Sequence, residues 1–219
     1  MTMADFERRL DWLPAMSLAT ERLAELRQFC ERIDIAGSLR RHKETVKDIE
    51  LLYIPKFVEA TPAPSAQAEL FTKPGPPVRI DLCHNYLTAQ LATPGSRWSK
   101  RPGENGVTAF GPMNKFMQYR VTDDYVVAID IFTATAVNWG RDLWIRTGPR
   151  EWNIASMTRA RALNLRMHAY GPAAFTRYSG DELPINCADE TDVARVLRLG
   201  SVTSPEYRTA ETARQLSNV

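Results

Sequence analysis

The sequence predicts an α+β fold: a mixed sheet flanked by helices. Three observations predict it. Arg32-Ile33-Asp34-Ile35-Ala36 and Asp48-Ile49-Glu50-Leu51-Leu52-Tyr53-Ile54 read as strands, with a Gly37-Ser38 turn at the end of the first. Tyr125 to Phe132 is rich in β-branched residues, the composition of a strong strand. Apolar residues at helical spacing, Leu23, Leu26, Phe29 and Cys30, precede the first strand, and Gly148-Pro149 opens a helix behind the last one.

Taken in order, Ser17 is the expected N-cap of the first helix, with Glu21 in its first turn. Residues 55–78 carry six prolines among Ala, Ser and Gln and read as an irregular excursion, with Val78-Arg79-Ile80-Asp81-Leu82 as a further strand. Residues 93–112 alternate Gly95, Gly103, Gly106 and Gly111 with Pro94, Pro102 and Pro112 and read as a long loop. Arg97, Lys100 and Arg101 make that loop basic, as a nucleic-acid contact or a solvated tip would be. After Gly148-Pro149, the residues Ile154, Met157, Ala162 and Leu165 fall on one side of the helix. Thr191 is positioned to cap a short helix ending near Gly200.

A chain of 219 residues, 44% hydrophobic and 25% charged, suits one compact domain or two small lobes. No run approaches the length of a membrane span, and the first residues hold no signal-peptide core. The expectation is an intracellular, cytoplasmic monomer with no membrane partner. Cys30, Cys83 and Cys187 are odd in number and far apart, as free thiols in a reducing compartment would be. His42, His84 and His168 lack metal-ligand spacing. The net charge of +2 argues little for nucleic acid. Its distribution argues more, with six arginines and one acid between Arg146 and Arg177.

The chemistry concentrates around the Gly37-Ser38 turn. Its backbone N–H groups and hydroxyl make an anion cradle at a strand end, and Arg40 and Arg41 add charge suited to a polyphosphate. Eleven positions after Gly37, Asp48 and Glu50 stand two apart on a strand and share a face. Adjacent carboxylates ionise together only with a cation between them, and hard oxygen donors suit Mg²⁺. Cradle and carboxylates together imply metal-assisted phosphoryl or nucleotidyl transfer. A third carboxylate is needed, and both Asp81 and Asp130 lie in Ile-Asp-hydrophobe strands.

Gly37-Ser38-x-Arg40-Arg41 with Asp48-Ile49-Glu50 resembles the active-site signature of the nucleotidyltransferase superfamily, and the double arginine resembles DNA polymerase family X, the polymerase β relatives. Ile129-Asp130-Ile131-Phe132-Thr133-Ala134, Ile145-Arg146-Thr147-Gly148-Pro149, Asn153, and Asn164 through Tyr170-Gly171 follow in that family's order. Asp192-Val193 to Leu199-Gly200, with Ser204-Pro205-Glu206-Tyr207-Arg208, resembles its C-terminal ending. The similarity covers roughly residues 30–54 and 125–208 and is closest to minimal, viral-type members; residues 55–124 match nothing.

The resemblance implies a nucleotidyltransferase palm over residues 1–147, with an insertion at about 55–124, and a small C-terminal subdomain over 148–219. It makes Asp130 the third ligand, so that Asp48, Glu50 and Asp130 hold two Mg²⁺ ions, with Mn²⁺ as an alternative. Gly37, Ser38, Arg41 and Lys47 would take the triphosphate. Thr147, Gly148, Arg150 and Asn153 would line the sugar and base side, and Arg159, Arg161 and Arg166 would track DNA. The implied activity is nucleotide addition from a dNTP or NTP to a 3′-hydroxyl of gapped or primed DNA, in repair, by a cellular or phage- or virus-encoded enzyme. Transfer to RNA, a protein or a small molecule is the alternative, and a non-catalytic nucleotide binder is a third. Three departures stand out. Glu50 replaces the family's second aspartate. Ile145-Arg146 replaces its aromatic pair, which predicts weak exclusion of ribonucleotides. Only 36 residues precede the turn, which predicts no lyase activity.

Overall fold

A computed structural model of the chain describes residues 9–60, 77–102, 108–178 and 185–217. The described chain begins with β1 (Leu10–Asp11) and α1 (Trp12–Arg27). The helix therefore starts ahead of Ser17, which lies inside it. Tertiary anchors override the local cap: Trp12 N and Nε1 donate to Glu44 O and Leu39 O at 2.9 and 3.0 Å. Pro14 sits in the first turn, where its missing N–H is no loss. The helix ends at Arg27, so Cys30 opens β2 (Cys30–Ile35) instead of extending the helical stripe.

The Gly37-Ser38 turn opens a single helical turn, α2 (Gly37–Arg40). After β3 (Thr45–Val46), which pairs with β1, comes β4 (Asp48–Pro55). β5 (Phe57–Ala60) and β6 (Val78–Asp81) form a separate antiparallel ribbon, so the expected irregular excursion is bounded by paired strands; residues 61–76 lie outside the described set. Next come α3 (Leu82–Ala92), β7 (Trp98–Lys100), β8 (Asn114–Thr122) and β9 (Tyr125–Thr133). β7 is a short edge strand within the expected 93–112 loop, of which residues 103–107 lie outside the described set. The sheet has the order β2-β4-β9-β8-β7; β4 and β9 run parallel and every other neighbouring pair is antiparallel.

Strand alternation divides this sheet into two faces. Ile49, Leu51, Tyr53, Met117, Tyr119, Val127, Ile129 and Ile131 point into one core with Ala15, Ala19 and Leu26 of α1 and Cys83 and Leu87 of α3. The opposite face carries Asp48, Glu50 and Asp130 at one end. At its other end Leu52, Phe132 and Ala134 pack against Trp139 and Leu143 of α4 (Trp139–Thr147).

The C-terminal part contains α5 (Arg150–Ala162), β10 (Leu165–Met167), β11 (Phe175–Arg177), α6 (Glu190–Val196) and α7 (Ala210–Ser217). Its core centres on Trp144 and Trp152, whose rings lie 5.6 Å apart, with Phe175, Val193, Leu197 and Leu216. These tryptophans set the rotation of α5. Trp152, Ala155, Ser156 and Ala160 face inward, and Ile154 and Met157, expected on an apolar face, are 53% and 37% exposed. α6 is capped by Asp189, not Thr191, in a capping box completed by Asp192. Among the described residues no helix is long and apolar enough to cross a membrane.

Candidate nucleotide and carboxylate site

Parallel register places Glu50 directly opposite Asp130, with Asp48 opposite Ala128 one step along the same face. Asp48 and Glu50 come from β4, and Asp130 from its neighbour β9, so a single sheet face presents all three. Burial pushes the Glu50 carboxyl up to about 8, with the Asp48 charge adding to the rise and the Arg146 and Arg41 charges opposing it. Burial likewise pushes Asp130 up to about 6 against the pull of Arg101. Arg101 Nη2 lies 2.5 and 2.6 Å from the two Asp130 carboxylate oxygens. Among the described residues no three Asp, Glu, His or Cys side chains close into a metal-binding group, and the three carboxylates share a face without surrounding a common point.

Asp81 belongs to the β5–β6 ribbon. Its carboxylate caps α3 through His84 N at 3.0 Å and accepts from Tyr53 Oη at 2.6 Å. The fully buried Lys115 lies behind, 2.6 Å from Tyr53 Oη and 4.0 Å from Asp81. Asp81 is thus occupied on the core side of the fold.

The anion cradle lies against the carboxylates. Gly37 has φ +66°, and a Cβ there would come within 2.7 Å of Glu50 Oε1, so a side chain is excluded both by conformation and by space. The first-turn amides of α2 have no partner within the helix. A cavity of about 490 Å³ opens beside them, lined by Ser38, Thr45, the carboxylates Glu44 and Asp48, and four cations, Arg9, Arg41, Lys43 and Lys47. A second cavity of about 470 Å³ lies on the other side of Arg41, between Glu50 and the first turn of α5. Its walls are Ile145, Arg146, Gly148, Pro149, Arg150, Asn153, Ile154 and Met157. The exposed Ile154 and Met157 therefore furnish a cavity wall.

Arg41 joins the two cavities. Burial lowers its pKa, opposed by the charges of Glu50 and Glu151, and its Nη1 donates to Thr147 O. Arg40 donates to Thr147 Oγ1 at 2.7 Å and pairs with Glu190 at 2.8 Å. Glu190 also holds the buried Arg208 at 2.9 Å, and the Arg208 guanidinium lies 4.5 Å from the centre of the Trp144 ring. Thr147 is completely buried, so it fixes the turn and does not line a cavity. Gly148 has φ +58° and a cis bond to Pro149, as that dipeptide permits. Asn153 Nδ2 donates to Ile145 O at 2.8 Å, and its buried Oδ1 has no hydrogen-bond partner among the described residues.

Of the three arginines expected to follow DNA, Arg159 donates from Nε to Leu197 O at 3.0 Å, which draws it toward the end of α6. Arg161 and Arg166 are exposed and converge on the hydroxyl of Tyr178, whose pKa they lower. Sequence reasoning missed the roles of Arg101, Arg9 and Lys43 and the Arg40–Glu190–Arg208 network. For Arg101 and Lys43 the available signal was a basic stretch, and Arg40, expected to add charge for a polyphosphate, is instead taken up by Thr147 and Glu190. All three cysteines are buried and free. The chain matches no protein-family model and no curated protein.

Proposed function

We propose that this chain transfers a nucleotide from a dNTP or NTP to the 3′-hydroxyl of a DNA strand, as a gap-filling or repair polymerase with a nucleotidyltransferase palm. The observation that supports this most is the register of Glu50 against Asp130, with Asp48 beside them, between a cavity rich in cations and one of mixed polar and apolar lining. A polyphosphate fits the first cavity and a base with its sugar the second.

The donor set fits Mg²⁺. Burial lifts two of the three carboxylates, to about 8 and about 6, despite the charges of Arg41, Arg101 and Arg146, and all three offer hard oxygen. Asp48, Glu50 and Asp130 would hold the ions, two Mg²⁺ with Mn²⁺ as an alternative, which would lower the pKa of the attacking hydroxyl and offset charge on the leaving pyrophosphate. The chain's own groups do the rest. Ser38, the first-turn amides, Arg41 and Lys47 bind the β- and γ-phosphates. Gly148 and Pro149 border the sugar, and the free Asn153 Oδ1 accepts from a base or sugar donor. The hydroxyl gives up its proton to solvent and attacks the α-phosphorus in line; a new oxygen–phosphorus bond forms, the bond from the α-phosphorus to the bridging oxygen breaks, and pyrophosphate leaves. Catalysis on this account is positioning and charge stabilisation.

The test is extension of a labelled strand on gapped, recessed and single-stranded DNA with each dNTP and rNTP. Incorporation that Asp48→Asn abolishes is the expected result. Retained nucleotide binding with no incorporation on any DNA would replace this reading with a non-catalytic binder or a transferase for another acceptor.

A further inference from the structure

We propose that Arg101 and Gln118 seat the acceptor, and that the acceptor is therefore a DNA strand end and not a protein or a small molecule. This rests on the transferase reading above. The observation behind it is a pair of rows across the sheet face. Register carries Glu50 to Asp130, Asp130 to Phe116, and Phe116 to Arg101, whose N donates to Phe116 O at 3.0 Å. The next row runs Asp48, Ala128, Gln118, Ser99. The segment that supplies Arg101 and Gln118 lies outside every stretch that carries the catalytic pattern.

Arg101 crosses Phe116, its guanidinium 5.5 Å from the ring centre, and fixes Nη2 on Asp130. Its Nε and Nη1 make no hydrogen bond among the described residues. A planar guanidinium held along one edge and free along the other is preorganised for a second anion. If the reacting hydroxyl lies at Asp130, the nearest anion on the acceptor is the phosphodiester attached to the same sugar. Every strand end has that group one sugar away from its 3′-hydroxyl; a serine hydroxyl or a free sugar does not.

The second row supplies the trough. Ala128 is half-buried and brings only a methyl between Asp48 and Gln118, and Ser99 is exposed. Gln118 is 8% exposed, its Nε2 donates to Ser99 Oγ at 3.0 Å, and its buried Oε1 has no hydrogen-bond partner among the described residues. Such an orphaned oxygen is costly unless a donor arrives, and a base amino group on the terminal nucleotide is one. Arg97 and the partly exposed Arg120 share the face of Ser99 and Gln118, and the exposed Asp123 and Asp124 stand at the turn between β8 and β9. A polyanion follows the basic stretch and leaves the sheet before that turn.

Fluorescence anisotropy of a labelled recessed-end duplex, with Ca²⁺ in place of Mg²⁺ to prevent turnover, reads the seat directly. The variants are Arg101→Ala, Arg101→Lys, Gln118→Ala and Ala128→Phe, each checked for an unchanged melting temperature and nucleotide affinity. A second duplex carries an uncharged methylphosphonate at the last linkage of the accepting strand. Arg101→Ala is expected to weaken binding about tenfold or more, as loss of a charged hydrogen bond does. The methylphosphonate should weaken the wild-type protein by a similar factor and Arg101→Ala no further. Arg101→Lys, which keeps the charge and loses the fork, should fall between, and Ala128→Phe should weaken binding by filling the trough. A methylphosphonate penalty equal in wild type and Arg101→Ala overturns the assignment, and if the wild type still extends DNA the transferase reading stands. An Arg101-dependent penalty in a protein that never incorporates a nucleotide upholds the seat and overturns the transferase reading.

Discussion

Glu50 and Asp130 stand opposite each other across a parallel strand pair, and both carboxyls are held above their ordinary range by burial. The fold thus places two groups that resist ionisation beside a third, Asp48. That arrangement is unfavourable for the protein alone and becomes favourable only with added positive charge.

The consequence is a pH-dependent stability with a definite sign. An unfolded glutamate loses its proton near pH 4.3, whereas folded Glu50 keeps it until about 8. Its contribution is fully present below the lower value and is lost as pH rises through the upper one. In chelator, the wild-type protein should lose stability between pH 5 and 8 by an amount on the order of a few kcal/mol, and Glu50→Gln should be flatter over the same range. Melting curves at pH 6 and pH 9 measure this. Parallel pH profiles for the two proteins would show that Glu50 is ionised throughout.

Asp130 and Asp81 separate chemistry from scaffolding. Asp130→Asn should abolish incorporation and leave the fold intact. Asp81→Asn should leave incorporation measurable and lower stability by about 1–3 kcal/mol, because Tyr53 loses a charged acceptor and the buried Lys115 loses its counter-charge. Denaturant titration and strand extension on both variants decide it. Full activity in Asp130→Asn with none in Asp81→Asn would assign the third carboxylate to the wrong strand.

The elements that position the carboxylates were legible because their signals are local. Alternation at 32–36 and 48–54 and β-branching at 125–132 fixed three strands to within two residues at either end. The α1 start was not legible, since the backbone of Glu44 and the carbonyl of Leu39, distant in sequence, anchor Trp12 ahead of Ser17. The rotation of α5 was misread because Ile154 and Met157 are apolar yet line a cavity, whereas the small Ala155, Ser156 and Ala160 pack inward beside Trp152. α3, α4 and β8 went unanticipated. Arg101 reaches Asp130 only through the register of β7 on β8, which no single segment encodes.

Glu190 ties the sheet domain to the C-terminal part by holding both Arg40 and Arg208. Burial works to raise its pKa, but the hydrogen bond from Arg40 and the Arg208 charge hold it below the usual carboxylate range. Stability from this group is present above the unfolded value and lost as pH falls through the folded one. Glu190→Gln should therefore destabilise the protein at pH 7 by about 3 kcal/mol, since it strands the buried Arg208. The gap to wild type should narrow below about pH 4.5, where the unfolded carboxyl takes up its proton while the folded one still resists. A constant gap from pH 7 down to pH 3 would mean that the ion pairs contribute nothing.

Arg41 lines both cavities and donates to Thr147 O, so it touches the triphosphate side and braces the Gly148 turn. Arg41→Ala should raise the nucleotide KM, at a cost of about 1.5–3 kcal/mol in kcat/KM. Arg40→Ala lacks the phosphate contact and should lower stability with a smaller rise in KM. Steady-state kinetics on the two variants, with unchanged KM and kcat in Arg41→Ala, would remove that residue from the site.

Sugar discrimination turns on Ile145 and Arg146. Arg146 lines the cavity at the turn but is held 3.5 Å from the centre of the Phe132 ring and 3.0 Å from Tyr170 Oη. The Ile145 carbonyl is occupied by Asn153. None of the residues that line the cavity at Gly148 is aromatic. An aliphatic wall rejects an added hydroxyl poorly, by about a hundredfold at most, because it creates neither a clash against a flat ring edge nor an unpaired polar group. The ratio of kcat/KM for a dNTP to that for the matching rNTP on gapped DNA should therefore be modest. Ile145→Tyr, which places a ring edge at that wall, should raise it. A wild-type preference of several thousandfold, unaltered in Ile145→Tyr, would show that the backbone of the turn performs the screening and that these two side chains do not.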